Sequence, residues 1–124
     1  MLTSIFAISV GASAGAIMRW LLGLSLNAIF PTLPLGTLAA NLIGGYLMGV
    51  ALAIFALYPI TLEWRLAIVT GFLGSLTTFS AFSAETTLLL LQGRLMWATA
   101  AIGLHVLGSL ACTMLGLATV SALR

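Results

Sequence analysis

GFLGSLTTFSAFSAE, the segment from Gly71 to Glu85, is the most unusual part of this sequence. Its first eight positions hold two glycines and three hydroxyl residues within an otherwise apolar run. Glycine lowers helix stability, and serine and threonine compete for backbone hydrogen bonds. We therefore predict that a helix is broken between Gly74 and Thr78. The alternative is a continuous helix whose small residues pack against its neighbours.

The composition of the whole chain indicates a lipid environment. Of 124 residues, 62% are apolar and 5% are charged, whereas soluble domains carry about 25% charged residues. So few charges cannot cover a water-facing surface, so the outer face must meet a lipid bilayer. A net charge of +2 without basic runs argues against a nucleic-acid partner. The single Cys112 excludes an internal disulfide and is expected to be a small packing residue.

Four apolar runs have the length of roughly 20 residues that a membrane-spanning helix needs. The predicted fold is an all-α membrane protein with one four-helix transmembrane domain over residues 1–124. The connections are short, so consecutive helices should be antiparallel. The runs extend from about Thr3 to Leu26, from about Leu35 to Tyr58-Pro59, from about Leu62 to Gln92-Gly93, and from about Leu95 to Leu123.

Arginine is balanced between the two ends of the predicted bundle. Glu63, Arg65 and Arg124 fall at one end, and Arg19 and Arg94 at the other. The positive-inside rule then gives almost no preferred orientation. Either weak signals still select one orientation, or both are made and pair as an antiparallel dual-topology homodimer.

Two GxxxG pairs allow helix backbones to approach closely. They are Gly11 with Gly15, and Gly45 with Gly49. They serve either packing within one subunit or a dimer seam.

Phe79 and Phe82 are three residues apart and therefore share a helix face, with Ser80 and Ser83 beside them. The edge of an aromatic ring is positive, so ring edges along a narrow path can stabilise a small anion. They do so more weakly than a fixed positive charge, which would trap the ion. The alternative is that both rings are ordinary core or lipid-facing residues.

Asn41 lies in the apolar second run and needs a partner, because burying an unpaired amide costs about 4–8 kcal/mol. Its amide group offers two donors suited to an anion. Thr37 lies four residues earlier on the same face. A structural hydrogen bond between helices is the alternative.

The fourth run carries a polar stripe formed by His105, Ser109 and Thr113, at every fourth residue. This pattern predicts a hydrated track or a helix interface, and it lacks the ligand spacing of a zinc site. Arg19 and Glu85 are charges within or near the membrane, where such residues pair, snorkel or face water. No arrangement of nucleophile, base or phosphate-binding loop indicates an enzyme.

Three motifs together resemble the signature of the fluoride channels called Fluc or CrcB. The resemblance covers the first three helices in order and spacing, and the fourth mainly by its length and polar stripe. The motifs are the Gly71–Glu85 segment; Gly36-Thr37 followed by Asn41, Gly44 and Gly45; and Gly11-Ala12 followed by Gly15 and Arg19.

The resemblance implies a passive, fluoride-selective channel of the bacterial inner membrane. It implies an antiparallel dual-topology homodimer with two pores and a structural sodium ion between the broken third helices. The sodium ligands would be backbone carbonyls of Gly74 and Thr77, and Arg19 would lie in a vestibule. The implied pore residues are Asn41, Phe79 and Phe82, with Thr37, Ser80, Ser109 and Thr113 on a polar track beside them.

Three positions depart from the family pattern. Ser75 replaces a common glycine, Ala81 a common threonine, and His105 a common aromatic hydroxyl residue. Two other functions remain open. A small multidrug-resistance-type proton-coupled exporter needs a buried acid, usually in its first helix, and here only Glu85 in the third run is available. A non-transporting scaffold subunit would not need Asn41, the paired phenylalanines or the glycine-rich break.

Overall fold

The computed structural model describes residues 1–124 and is entirely helical apart from short connections. Its four long helical spans are each long and apolar enough to cross a membrane, which confirms the predicted all-α, multi-pass architecture. The predicted ends are correct to within one or two residues. The first span is α1 (Leu2–Leu26) with a following 3-10 turn (Asn27–Ile29), and the second is α2 (Leu35–Leu57). The third span consists of α3 (Leu62–Arg65), a π-helical segment (Leu66–Leu73), α4 (Gly74–Leu76) and α5 (Phe79–Leu91). The fourth span is α6 (Leu95–Leu123).

The third span changes its geometry along its length. A π-helical segment of eight residues joins α3 to α4, and the sequence pattern did not predict it. Gly74 and Ser75 remain helical, so extended backbone is confined to Thr77 (ψ 156°) and Thr78 (φ −150°, ψ 113°). The Thr78 hydroxyl accepts a hydrogen bond of 3.1 Å from the Ala81 N–H and thereby caps the start of α5.

Glycines allow two close helix contacts inside the chain. The α1 helix packs on the π-helical segment and α4, and a β-carbon added at Gly15 would collide with the Phe72 carbonyl oxygen. The α2 helix packs along α6, and a β-carbon at Gly49 would collide with the Thr113 carbonyl oxygen. Both GxxxG motifs therefore serve packing within the subunit, which was one of the two explanations offered for them.

Side chains near the helix ends fix the connections. The Asn27 carbonyl oxygen Oδ1 accepts from the backbone N–H of Gly36 at 2.7 Å and caps α2. The Arg94 guanidinium donates to the Thr32 hydroxyl at 3.2 Å, so the first and third connections meet at the same end of the bundle. At the opposite end, the Arg65 guanidinium lies 5.0 Å from the centroid of the Phe55 ring.

The surface of the chain is mostly apolar. Only 20 of 124 residues are buried, so most leucine, isoleucine and valine side chains point outward. Such a surface is unsuited to water and suited to lipid or to another copy of the chain. The largest fully buried side chains are Leu73, at the end of the π-helical segment, and Leu76, directly before the two extended threonines, and they anchor this part of the third span in the core.

Candidate functional site

Most of the predicted pore residues line one open groove of about 450 Å³ between α2, the third span and α6. No charged side chain lines this groove. We call it the central groove. Of the residues singled out from the sequence, it contains Asn41, Phe79, Phe82, Ser109 and Thr113, together with Gly74, Thr77 and His105.

Asn41 joins α2 to one of the two extended residues of the third span, Thr78. Its Oδ1 accepts from the Thr78 N–H at 2.7 Å, and its Nδ2 donates to the Thr78 carbonyl at 3.1 Å. The amide thus pairs with both backbone groups of one residue that has left the helix. A buried backbone group without a partner costs about 1–3 kcal/mol, so these bonds stabilise the extended conformation of Thr78.

The extended threonines release backbone carbonyls of α4 from helical bonding. In a continuous helix the Thr78 N–H would donate to the Gly74 carbonyl, but here it donates to Asn41. The Thr77 N–H still makes the ordinary helical bond to the Leu73 carbonyl, at 3.1 Å, so the Gly74 carbonyl is the one that loses its helical donor. The Ser75 carbonyl accepts from Arg19 Nε at 3.0 Å. Arg19 therefore caps a carbonyl of α4, a role that its sequence position did not indicate.

Phe79 and Phe82 are in contact but differ in burial. Their ring centroids are 5.4 Å apart with an interplanar angle of 68°, an edge-to-face arrangement. Phe82 is 8% exposed, whereas Phe79 is 78% exposed on the single chain. The Phe82 ring also lies 4.7 Å from the His105 ring. The two phenylalanines therefore form one aromatic edge of the central groove, with Phe79 at its open side.

The polar stripe of α6 faces the groove, as its periodicity suggested, but its members are bonded differently. The Thr113 hydroxyl lies 2.9 Å from the Gly45 carbonyl and 3.0 Å from the Ser109 carbonyl, so its single hydrogen is shared between backbone acceptors. His105 is 4% exposed, and its Nδ1 lies 2.9 Å from Asn41 Nδ2. The Nε2 atom of His105 is buried and has no hydrogen-bond partner in the chain.

A second, polar cavity of about 410 Å³ adjoins the central groove, because Thr78 lines both. We call it the vestibule. It contains Arg19, Thr37 and Glu85. The Thr37 hydroxyl donates to a Glu85 carboxylate oxygen at 2.6 Å, while Arg19 bonds Ser75, so the two charged residues have different partners.

Two predicted track residues thus lie outside the central groove. Thr37 belongs to the vestibule. Ser80 is exposed and lines neither cavity, and its hydroxyl lies 3.3 Å from that of Thr78. Ser80 follows Phe79 directly, and consecutive helical residues point in different directions, which explains why only the phenylalanine reaches the groove.

Comparison with known proteins identifies the family. A family profile described as "CrcB-like protein, Camphor Resistance (CrcB)" matches residues 6–117. A protein of Tolumonas auensis named "Fluoride-specific ion channel FluC" is 63% identical, and the alignment covers 100% of this chain and 98% of that protein. Proteins of the same name from Chromobacterium violaceum (60% identical, covering 100% of this chain and 99% of that protein) and Pseudomonas syringae pv. maculicola (58% identical, covering 94% and 93%) are similar to it as well. The chain, with its four apolar helices and an extended Thr78 bonded to Asn41, belongs to the CrcB family.

Proposed function

We propose that this chain forms a fluoride-selective channel through which fluoride leaves the cell passively. The observation that carries this proposal is the central groove, which combines amide, hydroxyl and aromatic-edge groups without any charged side chain. Weak sites of this kind favour conduction, because an ion must leave a site as readily as it enters. The relatives named as fluoride-specific ion channels support the same function and do not suggest an enzyme.

The path runs from the vestibule past Thr78 into the central groove. Arg19 supplies the one positive group of the vestibule, and the Glu85 carboxylate in the same cavity is bonded to Thr37. Thr78 lines both cavities. Fluoride is small and strongly hydrated, so each lost water must be replaced by a donor from the protein. The Ser109 hydroxyl, which lines the central groove, and the positive edges of the Phe79 and Phe82 rings supply such contacts, whereas the Thr113 hydroxyl already donates to backbone carbonyls. The narrow spacing of these groups excludes the larger chloride ion.

A second copy of the chain completes the path. In the single chain, Phe79 is 78% exposed, and Gly74 is also exposed, so the central groove is open along one side. Two copies related by a two-fold axis would cover both open sides and create two equivalent paths. The nearly equal arginine content at the two ends supports an antiparallel, dual-topology arrangement. We place this homodimer in the bacterial inner membrane, because its spans are helices rather than strands of a barrel.

A structural sodium ion fits the backbone at the open side. The Gly74 carbonyl accepts from neither Thr77 nor Thr78, whose N–H groups bond elsewhere. Carbonyl oxygens at the broken end of a helix are suitable sodium ligands. Gly74 and Thr77 of two copies would hold the ion, which would tie the two third spans together. If so, replacing sodium by a large organic cation should weaken the dimer, as measured by its dissociation in detergent.

Fluoride efflux distinguishes a channel from a proton-coupled exporter. Vesicles containing the purified protein should release internal fluoride when an ionophore balances the charge, without any proton gradient. An exporter would instead take up protons when a cationic drug is added. The only acid in the third span beyond its first turn, Glu85, is hydrogen-bonded to Thr37 in a cavity that also holds Arg19. That cavity is ill suited to a cationic substrate, and a scaffold subunit would show neither activity.

A further inference from the structure

His105 occupies a special position, because it contacts the residue that holds the helix break. It is the only histidine of the chain and is 4% exposed within α6. Its Nδ1 lies 2.9 Å from Asn41 Nδ2, and its ring lies 4.7 Å from that of Phe82. A chain of contacts therefore runs from the imidazole through the Asn41 amide to the backbone of Thr78.

The hydrogen bonds fix which nitrogen of His105 carries the proton. The Thr78 N–H can bond only the oxygen of the Asn41 amide, and the Thr78 carbonyl can bond only its nitrogen. The amide is therefore oriented with Nδ2 towards His105. An amide nitrogen only donates, so His105 Nδ1 must accept with its lone pair. The proton of the neutral ring then sits on Nε2, which is buried and unpartnered within the chain.

We propose that His105 is a positioning residue whose Nδ1 lone pair holds the Asn41 amide against Thr78. When the imidazole is protonated, it can no longer hold the amide, and the extended conformation of Thr78 is lost. Protonation would turn Nδ1 into a donor facing the Asn41 amide hydrogens. The amide cannot relieve this conflict by rotating through 180°, because rotation would also mismatch both bonds to Thr78. The effect on conduction rests on the proposed channel function, whereas the tautomer does not.

Few other groups near His105 can titrate in its place. The α2 helix carries only the Tyr46 hydroxyl, which bonds Thr119 at 3.0 Å. The α5 helix carries only Glu85, whose carboxylate bonds Thr37. The α6 helix adds Cys112, and neither the π-helical segment nor α4 has a titratable side chain. Glu85 is thus the one carboxylate on an element that packs against His105, and its titration must be separated from that of the imidazole.

Nuclear magnetic resonance of the wild-type protein tests the tautomer directly. Protein labelled with ¹⁵N only in histidine gives signals from a single imidazole, so no assignment is needed. At pH 8 we expect one species with the proton on Nε2. In the variant Asn41→Leu, which removes the donor to Nδ1, we expect a mixture of the two tautomers. A wild-type proton on Nδ1, or the same mixture in wild type and variant, would overturn the proposal.

Fluoride flux measured over the same pH series tests the consequence. Protein-free vesicles supply the background at each pH, because undissociated hydrogen fluoride crosses lipid unaided. Wild-type flux should fall in parallel with protonation of the imidazole and never persist in the protonated form. His105→Asn places an amide oxygen near the position of Nδ1 without a titratable ring, whereas His105→Leu removes the acceptor. We expect His105→Asn to conduct at least tenfold faster than His105→Leu and to lose the pH response.

Several results would contradict the proposal. One is full flux with a protonated imidazole, another is equal flux in the two His105 variants, and a third is an unchanged acid response in His105→Asn, which would point to Glu85. Absence of any wild-type fluoride flux at pH 8 would refute the channel function, while the tautomer would still be decided by the resonance measurement.

Discussion

Replacing Asn41 by leucine tests whether one amide holds Thr78 in its extended conformation. Leucine has a similar size, so the change removes hydrogen bonds without opening a large cavity. Three bonds disappear, two with the Thr78 backbone at 2.7 and 3.1 Å and one with His105 at 2.9 Å. Thr78 and His105 are both buried, so the groups left behind lose their partners in a place with little water.

The expected loss of stability follows from these three bonds. A net contribution of about 0.6 kcal/mol per interhelical bond in membranes sets the lower limit, near 2 kcal/mol. Buried groups left unsatisfied cost about 1–3 kcal/mol each in soluble proteins, and a value near the low end, about 1.3 kcal/mol for each of the three groups, sets the upper limit near 4 kcal/mol. Because 1.4 kcal/mol corresponds to a factor of ten, the unfolding equilibrium constant should rise roughly 30-fold to 1,000-fold.

Titration of the folded protein with a denaturing detergent, followed by tryptophan fluorescence, measures this loss. Thr119→Val is the matched control, because it removes one interhelical bond, that with Tyr46 at 3.0 Å, outside the central groove. The control should cost about 0.6 kcal/mol and leave fluoride flux unchanged. If Asn41→Leu lowers stability no more than Thr119→Val does and conducts fluoride normally, Asn41 does not hold Thr78 in its extended conformation.

Three further changes test other parts of the structure. Phe82→Ile and Phe79→Ile keep apolar bulk but lose the ring quadrupole, so each should cut fluoride flux sharply while changing stability by at most about 1.5 kcal/mol. Normal flux in both variants would mean that the rings serve only in packing. Gly49→Ala should destabilise the chain by about 1–3 kcal/mol in detergent titration, because its β-carbon meets a carbonyl of α6; an unchanged midpoint would mean that the helices separate freely. A reporter fused at Arg124 should be found on both sides of the membrane, and lysines added beside Arg65 should bias it to one side. If the reporter on the otherwise unchanged chain is found on one side only, dual topology is excluded.

The sequence was sufficient to predict the four spans, and several of the residues it singled out line the central groove. Apolar runs of bilayer length identify helices without tertiary information, and the ends of α2 and α6 follow from the prolines and the glycine that flank them. The sequence predicted a hydrogen-bond partner for Asn41, because a buried amide needs one, and Asn41 does bond the extended Thr78.

The partners themselves were not predictable from spacing. Arg19 bonds the Ser75 carbonyl, 56 residues away, and Asn41 bonds His105, 64 residues away. Such contacts depend on how the helices pack, and a single sequence contains no signal for them. The π-helical segment was missed for a similar reason, because its bonding is selected by close packing against α1 rather than by local propensity. The family resemblance implied that Ser80 lies on the polar track, but a one-residue step along a helix turns a side chain by about 100°, and Ser80 lines neither cavity.

Fluoride and chloride efflux measured in parallel tests the proposed function most directly. Wild-type protein is reconstituted into two sets of vesicles that differ only in the internal anion, and efflux is started with a potassium ionophore. We expect rapid release of fluoride and chloride release no faster than from protein-free vesicles, because the central groove is lined by amide, hydroxyl and aromatic groups and by no charged side chain. Equal release of the two anions would contradict selection by a narrow groove, and release of neither would contradict the channel function itself.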